Sequence, residues 1–166
     1  MKRIGLHIYR EYYAGSALAD IWDKITNVLA DAGVADAEQI GLQLTEWMRT
    51  TWGGQMLVDR HREQPLGYSR FDLLRDQALA LLSDSALAAE IVRVVRVDYR
   101  KAYLPKIKAL ELLTRDIEIF NRGNSHSKIE RLGTQNNIST RRVYQINKRM
   151  VASKKAWEEP MLPGVA

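Results

Sequence analysis

"LGTQNNISTRRVYQINKRM" occupies residues 132–150, and the order of its residue types decides how the chain is read. Gly133 is small, Asn136 and Asn137 are turn formers, Ser139 is a capping type, and the stretch from Thr140 onward is periodic and basic. A helix-turn-helix needs this order. Its two helices cross closely, so the first needs a small residue; the turn needs one that tolerates a left-handed backbone, and the second helix must point apolar side chains inward. Gly133 meets the first need and Asn137 the second, since asparagine enters the left-handed region more readily than most residues. Ile138, Val143 and Ile146 supply the inward contacts, with Leu132 opposite them. Asn136 departs from the pattern, because that position is usually apolar. Gly133 also costs about 1 kcal/mol of helix propensity relative to alanine.

Removing the inward positions leaves Thr140, Arg141, Tyr144, Gln145 and Lys148 on the outer leading face of a helix expected over residues 140–153, capped by Ser139. Arginine grips guanine with two hydrogen bonds and glutamine reads adenine, while tyrosine, threonine and lysine hold phosphates. Arg142 and Arg149 sit at the flanks and are expected on the DNA backbone. Upstream, Ser127 and Glu130 have the spacing of a capping box for a helix over residues 128–135, in which Lys128 is a further expected DNA contact.

Charge supports a division of labour. Residues 1–100 carry 12 Lys and Arg against 14 Asp and Glu, whereas residues 101–166 carry 13 against 6, a net +7 within a chain of net charge +5. A basic C-terminal module on a near-neutral body suits a polyanion as partner. In that body, "SALADIWDKITNVLADAG" sets Leu18, Ile21, Trp22, Ile25, Val28 and Leu29 on one stripe of a helix, with Ser16 to cap it and Gly33 to end it. A second helix is expected from Asp36, with Gln39 completing a capping box and Ile40, Leu44, Trp47 and Met48 on one face, stopping at "TWGGQ". Two such helices cannot bury their own stripes alone and need the rest of the chain or a second copy; Leu18, Ile21, Trp22, Ile25, Leu29, Ile40, Leu44, Trp47 and Met48 are expected to meet a second copy. Tyr9, Tyr12 and Tyr13 of "IYREYY" are read as core or dimer packing.

Residues 56–70 read as a loop through Pro65 and Gly67. The stretch from Phe71 reads as helical to about Val92, with a break near residues 83–85, and the β-branched run "IVRVVRVDY" leaves open a short strand near residues 94–104. Pro105 is expected to begin the next helix, with Ile107, Leu110, Leu113, Ile117 and Phe120 inward and Gly123 as its stop. The fold class expected is mainly α: a helical dimerisation region over residues 1–100, a helix-turn-helix domain over 103–155, and a flexible tail over 156–166.

The ordered features "LADAG...AEQI...WGGQ", "YLPK", "RDIEIFNRGN" and "KIERLGTQNNISTRRVYQINKR" resemble the Mor/C family of transcription activators from transposable phages, over residues 17–55 and 103–149. The resemblance implies a homodimer with intertwined N-terminal helices and a short strand near DNA at Tyr103, Leu104, Pro105 and Lys106. It further implies helix-turn-helix modules that bind a dyad-like promoter element and assist RNA polymerase, with Lys106 and Ser139 through Arg149 as DNA contacts. In the family "GGQ" and the "PK" unit nearly adjoin, whereas here an inserted helical segment of about residues 57–102 separates them.

Other classes find less support. His7, His61 and His126 are too far apart for metal-ligand spacing, "DRHRE" reads as an exposed loop, and no phosphate loop or nucleophile elbow occurs. No enzyme, cofactor or metal is expected. A recombination accessory protein and an adaptor without DNA are the alternatives. No apolar run reaches membrane-spanning length, the basic start has no apolar signal segment, and the absence of cysteine suits a reducing compartment, so a cytoplasmic site is expected.

Overall fold

The computed structural model describes residues 4–122 and 126–157, and it is mainly helical. The chain separates into two compact units, Tyr13–Lys106 and a second formed by Met1–Tyr12 with Ile107–Ala166. Residues 4–12, with most of helix α1 (Leu6–Tyr13), group with the C-terminal helices. No helix among the described residues is long and apolar enough to cross a membrane.

In the Tyr13–Lys106 unit, α2 (Ala17–Asp31) packs on α3 (Ala37–Trp52). Gly33, at φ +71°, ends α2 as its sequence position suggests: its N–H donates to Ala30 O at 2.9 Å and that of Val34 donates to Leu29 O at 2.9 Å, a Schellman closure that a left-handed glycine allows. Both expected N-caps differ. Ser16 has the extended backbone of a cap, but its hydroxyl donates back to Tyr13 O at 2.7 Å. Asp36 stands at φ 56° and makes no side-chain cap bond, because a cap oxygen reaches the helix N–H groups only from an extended backbone.

The stretch expected to be an insertion, residues 57–102, carries α4 (Arg70–Leu82) and α5 (Ser85–Tyr99). A capping box starts α4: Ser69 accepts from the Asp72 N–H, and the Asp72 carboxylate accepts from the Ser69 N–H at 2.8 Å. The Ser69 N–H and the Ser69 hydroxyl, each donating to the Asp72 carboxylate at 2.8 Å, hold its carboxyl below the usual carboxylate range, ahead of the nearby Arg75. Asp84 caps α5 by accepting from the Leu87 N–H at 3.0 Å. The β-branched run stays helical through Tyr99, since Ala88, Ile91 and Val95 are buried at helical spacing and α5 packs along α2. Tertiary burial outweighs the modest strand preference of valine.

The nine residues expected to meet a second copy lie in this packing. Leu18, Ile21, Trp22, Ile25, Leu29, Leu44 and Met48 are fully buried within a single chain, and only Ile40 and Trp47 of the nine remain half-exposed. Within one chain the apolar stripes meet the helices that follow, with α5 against α2 and α4 against α3. Trp22 also donates its indole N–H to Glu38 O at 2.9 Å and meets Tyr13 edge-on, with ring centroids 6.1 Å apart.

The strand alternative over residues 94–104 shrinks to β2 (Tyr103–Leu104), which pairs antiparallel with β1 (Gln55–Met56) in the register Gln55↔Leu104 and Met56↔Tyr103. Gly54 N–H to Leu104 O and Leu57 N–H to Ala102 O, both 2.7 Å, continue the ribbon. The "GGQ" and "YLPK" units thus lie side by side, and the segment between them leaves and returns at one place. Leu57 and Leu104 point inward, while Met56 and Tyr103 face solvent.

In the other unit, α8 (Thr140–Trp157) packs on both α6 (Lys108–Asn121) and α7 (His126–Gln135). Helix α6 begins at Lys108 and not at Pro105, which follows directly on β2, and Ile107 at its N-cap contributes no side-chain bond. Its expected stop, Gly123, lies outside the described residues, as do the Ser127 side chain and the tail beyond Trp157. Helix α7 starts two residues earlier than the capping-box spacing implied, and α8 runs past residue 153.

Candidate nucleic-acid interface

The corner between α7 and α8 is built from backbone contacts that leave no room for larger side chains. A Cβ on Gly133 would stand 2.8 Å from Ile138 O, closer than side-chain carbons are found to backbone oxygen. That proximity reflects the turn itself, for the Ile138 N–H donates to Gly133 O at 2.9 Å. Asn137 takes the left-handed conformation at φ 52°. Asn136, the polar residue where an apolar one is usual, is half-buried and donates its amide to Leu132 O at 2.9 Å, so it satisfies a helix-end carbonyl. Ser139 then accepts from the Arg142 N–H at 3.2 Å and caps α8.

Below the corner, Ile129, Leu132, Val143, Ile146 and Met150 are buried, and Ile138 is half-buried. Arg141, Arg142, Tyr144, Gln145, Lys148 and Arg149 are exposed on α8, with Thr140 half-exposed at its first turn and Lys128 exposed on α7. The expected reading face is therefore assembled on one helix and open to solvent. Its members are not all free: the Arg142 guanidinium lies 3.4 Å from the Gln145 amide oxygen. Lys106 is exposed but belongs to the Tyr13–Lys106 unit, where its side chain lies beside Gly54.

Arg149, expected on a phosphate, has a partner within the chain. Its guanidinium pairs with Asp116 of α6, whose carboxylate is 2% exposed and also holds Arg115 at 2.8 Å. A carboxylate in an apolar interior needs such partners, so Arg149 ties α8 to α6. The sequence contained a signal for this: Asp116 adjoins Ile117 on the stripe of α6 that turns inward. Asn147 carries no such signal. It is buried on the inner face of α8, and neither its amide N nor its O has a hydrogen-bond partner among the described residues.

A family model described as the Mor transcription activator family matches residues 73–162. No curated protein and no solved structure matches the chain. The matched stretch takes in most of α4, all of α5, β2 and the whole corner of α6, α7 and α8. Residues 17–55, whose motifs also resemble the family, lie outside it, while residues 73–102, expected to belong to an insertion, lie within it. The match spans more than half of a 166-residue chain whose basic helix is held at a tight corner, and the chain belongs to the Mor transcription activator family.

Proposed function

We propose that this transcription regulator is an activator that binds DNA sequence-specifically by laying α8 into the major groove. The observation that carries the reading is the close contact of Gly133 with Ile138 O at a left-handed Asn137, which holds the basic outer face of α8 clear of its own core. A recognition helix held in this way contacts base edges from its first turns. Arg141 reads guanine and Gln145 adenine, and Thr140, Tyr144 and Lys148 grip phosphates, with Lys128, Ser139 and Arg142 at the borders of the contact. Arg149 acts chiefly through Asp116 to keep α8 in place.

Two copies bind a dyad-like promoter element as a homodimer and assist RNA polymerase in the cytoplasm. Ile40 and Trp47, the two half-exposed members of the expected dimer face, remain available to a second copy. Selection of bound sequences from a random duplex pool tests this directly. The expected result is a two-fold site whose half-sites lie about one or two helical turns apart. Sedimentation with the selected duplex should give two chains per site; recovery of no preferred sequence would remove the assignment.

A further inference from the structure

Ion pairing in the Tyr13–Lys106 unit leaves a remainder. Lys24 pairs with Asp98, Arg49 with Glu46, Arg70 with Glu63, Arg75 with Asp72 and Asp76, Arg93 with Glu90, and Arg96 with Asp59. The other cations of the unit are Arg60, Arg62, Arg100, Lys101 and Lys106, all exposed and without a carboxylate partner among the described residues. They are not scattered. Arg60 and Arg62 follow β1, Arg100 and Lys101 precede β2, and Lys106 comes just after it. The bond from Leu57 N–H to Ala102 O, 2.7 Å, runs the chain leaving β1 alongside the chain entering β2.

The loop that carries Arg60 and Arg62 is clamped on both sides. Arg96 holds Asp59 immediately before it, and Arg70 holds Glu63 at 2.8 Å immediately after. Arg70 also donates to Met56 O at 2.7 Å and to the side chain of Gln55, fastening the loop to the ribbon. Between the clamps the Arg62 N–H donates to Arg60 O at 2.9 Å, a tight turn that leaves both guanidinium groups in solvent. A surface ordered before binding loses little further freedom when it binds.

We propose that Arg60, Arg62, Arg100 and Lys101 form a second surface that grips the phosphates of duplex DNA, separate from the α8 reading face. The proposal rests on the DNA-binding reading of the corner. Arg60 and Arg62 lie outside the stretch matched to the family, and Arg100 and Lys101 lie within it. An acidic protein is the rival occupant. Cores of protein interfaces are depleted of charge, whereas this surface is mostly unpaired positive charge, which suits a polyanion.

The experiment measures full-chain binding to mixed-sequence duplex and to pool-selected duplex across a range of salt. The double variant Arg60→Ala, Arg62→Ala should weaken binding to both duplexes and make the log–log salt slope about 2 less negative for each bound chain, about 4 for a site that holds two, since each phosphate left unneutralised changes it by about 0.9. Arg100→Ala with Lys101→Ala should do the same. Arg75→Ala with Arg93→Ala removes equal charge from paired positions and should leave the slope as it was. All three pairs are surface changes, and unchanged thermal unfolding will confirm folding. If the unaltered chain binds no duplex, the reading of the corner fails. If it binds and Arg141→Ala relaxes its preference, yet the loop variant keeps the parental slope, the second surface alone is refuted. An unchanged slope with lost activation of a reporter assigns the surface to a protein partner and likewise overturns the proposal.

Discussion

Gly133 sets helix propensity against space at the scale of a single residue. Alanine is the better helix former by about 1 kcal/mol, yet its methyl group would sit 2.8 Å from Ile138 O, where backbone and not a flexible side chain must yield. Gly133→Ala is therefore expected to destabilise the chain by about 1 to 3 kcal/mol, read by urea unfolding, and a stabilised variant would contradict the tight corner. Arg141→Ala should cost about 1 to 3 kcal/mol on a selected site and little on random duplex, because a base contact discriminates and a phosphate contact does not. Equal losses on both duplexes would strip Arg141 of its reading role. Arg149→Ala leaves Asp116 buried with one cation fewer, and its main effect should be a loss of about 1 to 2 kcal/mol of stability. A variant of parental stability that binds all DNA more weakly would return Arg149 to the phosphate backbone.

At the scale of elements, the start of α4 contributes a pH dependence. Asp72 is held below its ordinary value of 3.8 chiefly by its bonds from Ser69. The sign follows from linkage: the folded state favours the ionised form, so this stabilisation is complete above the unfolded value and is lost as pH falls below 3.8 through the lowered folded one. Thermal melts on the acid side should show Asp72→Asn with a shallower decline than the parent; parallel declines would deny Asp72 that part. Local chemistry made some element ends readable beforehand, such as the left-handed Gly33 and the serine cap at Ser139. It misled where one residue type serves two geometries. Asp36 is as good a left-handed residue as it is a cap, and the backbone around it chose the former.

For the whole molecule, the closing of α5 over α2 has a consequence that concentration reveals. Trp22, Trp47 and Trp52 supply three of the four tryptophans and lie in the Tyr13–Lys106 unit. Without DNA, their fluorescence change on unfolding should have a midpoint independent of protein concentration if burial within one chain suffices for the core; a midpoint that rises with concentration would show that a second copy takes part. By itself the sequence determined the mainly helical fold, the apolar stripes, and the corner from Gly133 to Ser139 with its basic outer face, since each depends on neighbours within a turn or two. Only tertiary structure decided that the stripe of α2 meets α5, that "GGQ" and "YLPK" pair as one ribbon, and that Arg149 binds Asp116. An apolar stripe states that it must be covered without stating by what, and a charge states only the sign of its partner. That choice is made by contacts between residues far apart in the chain, such as the 33 positions separating Asp116 from Arg149.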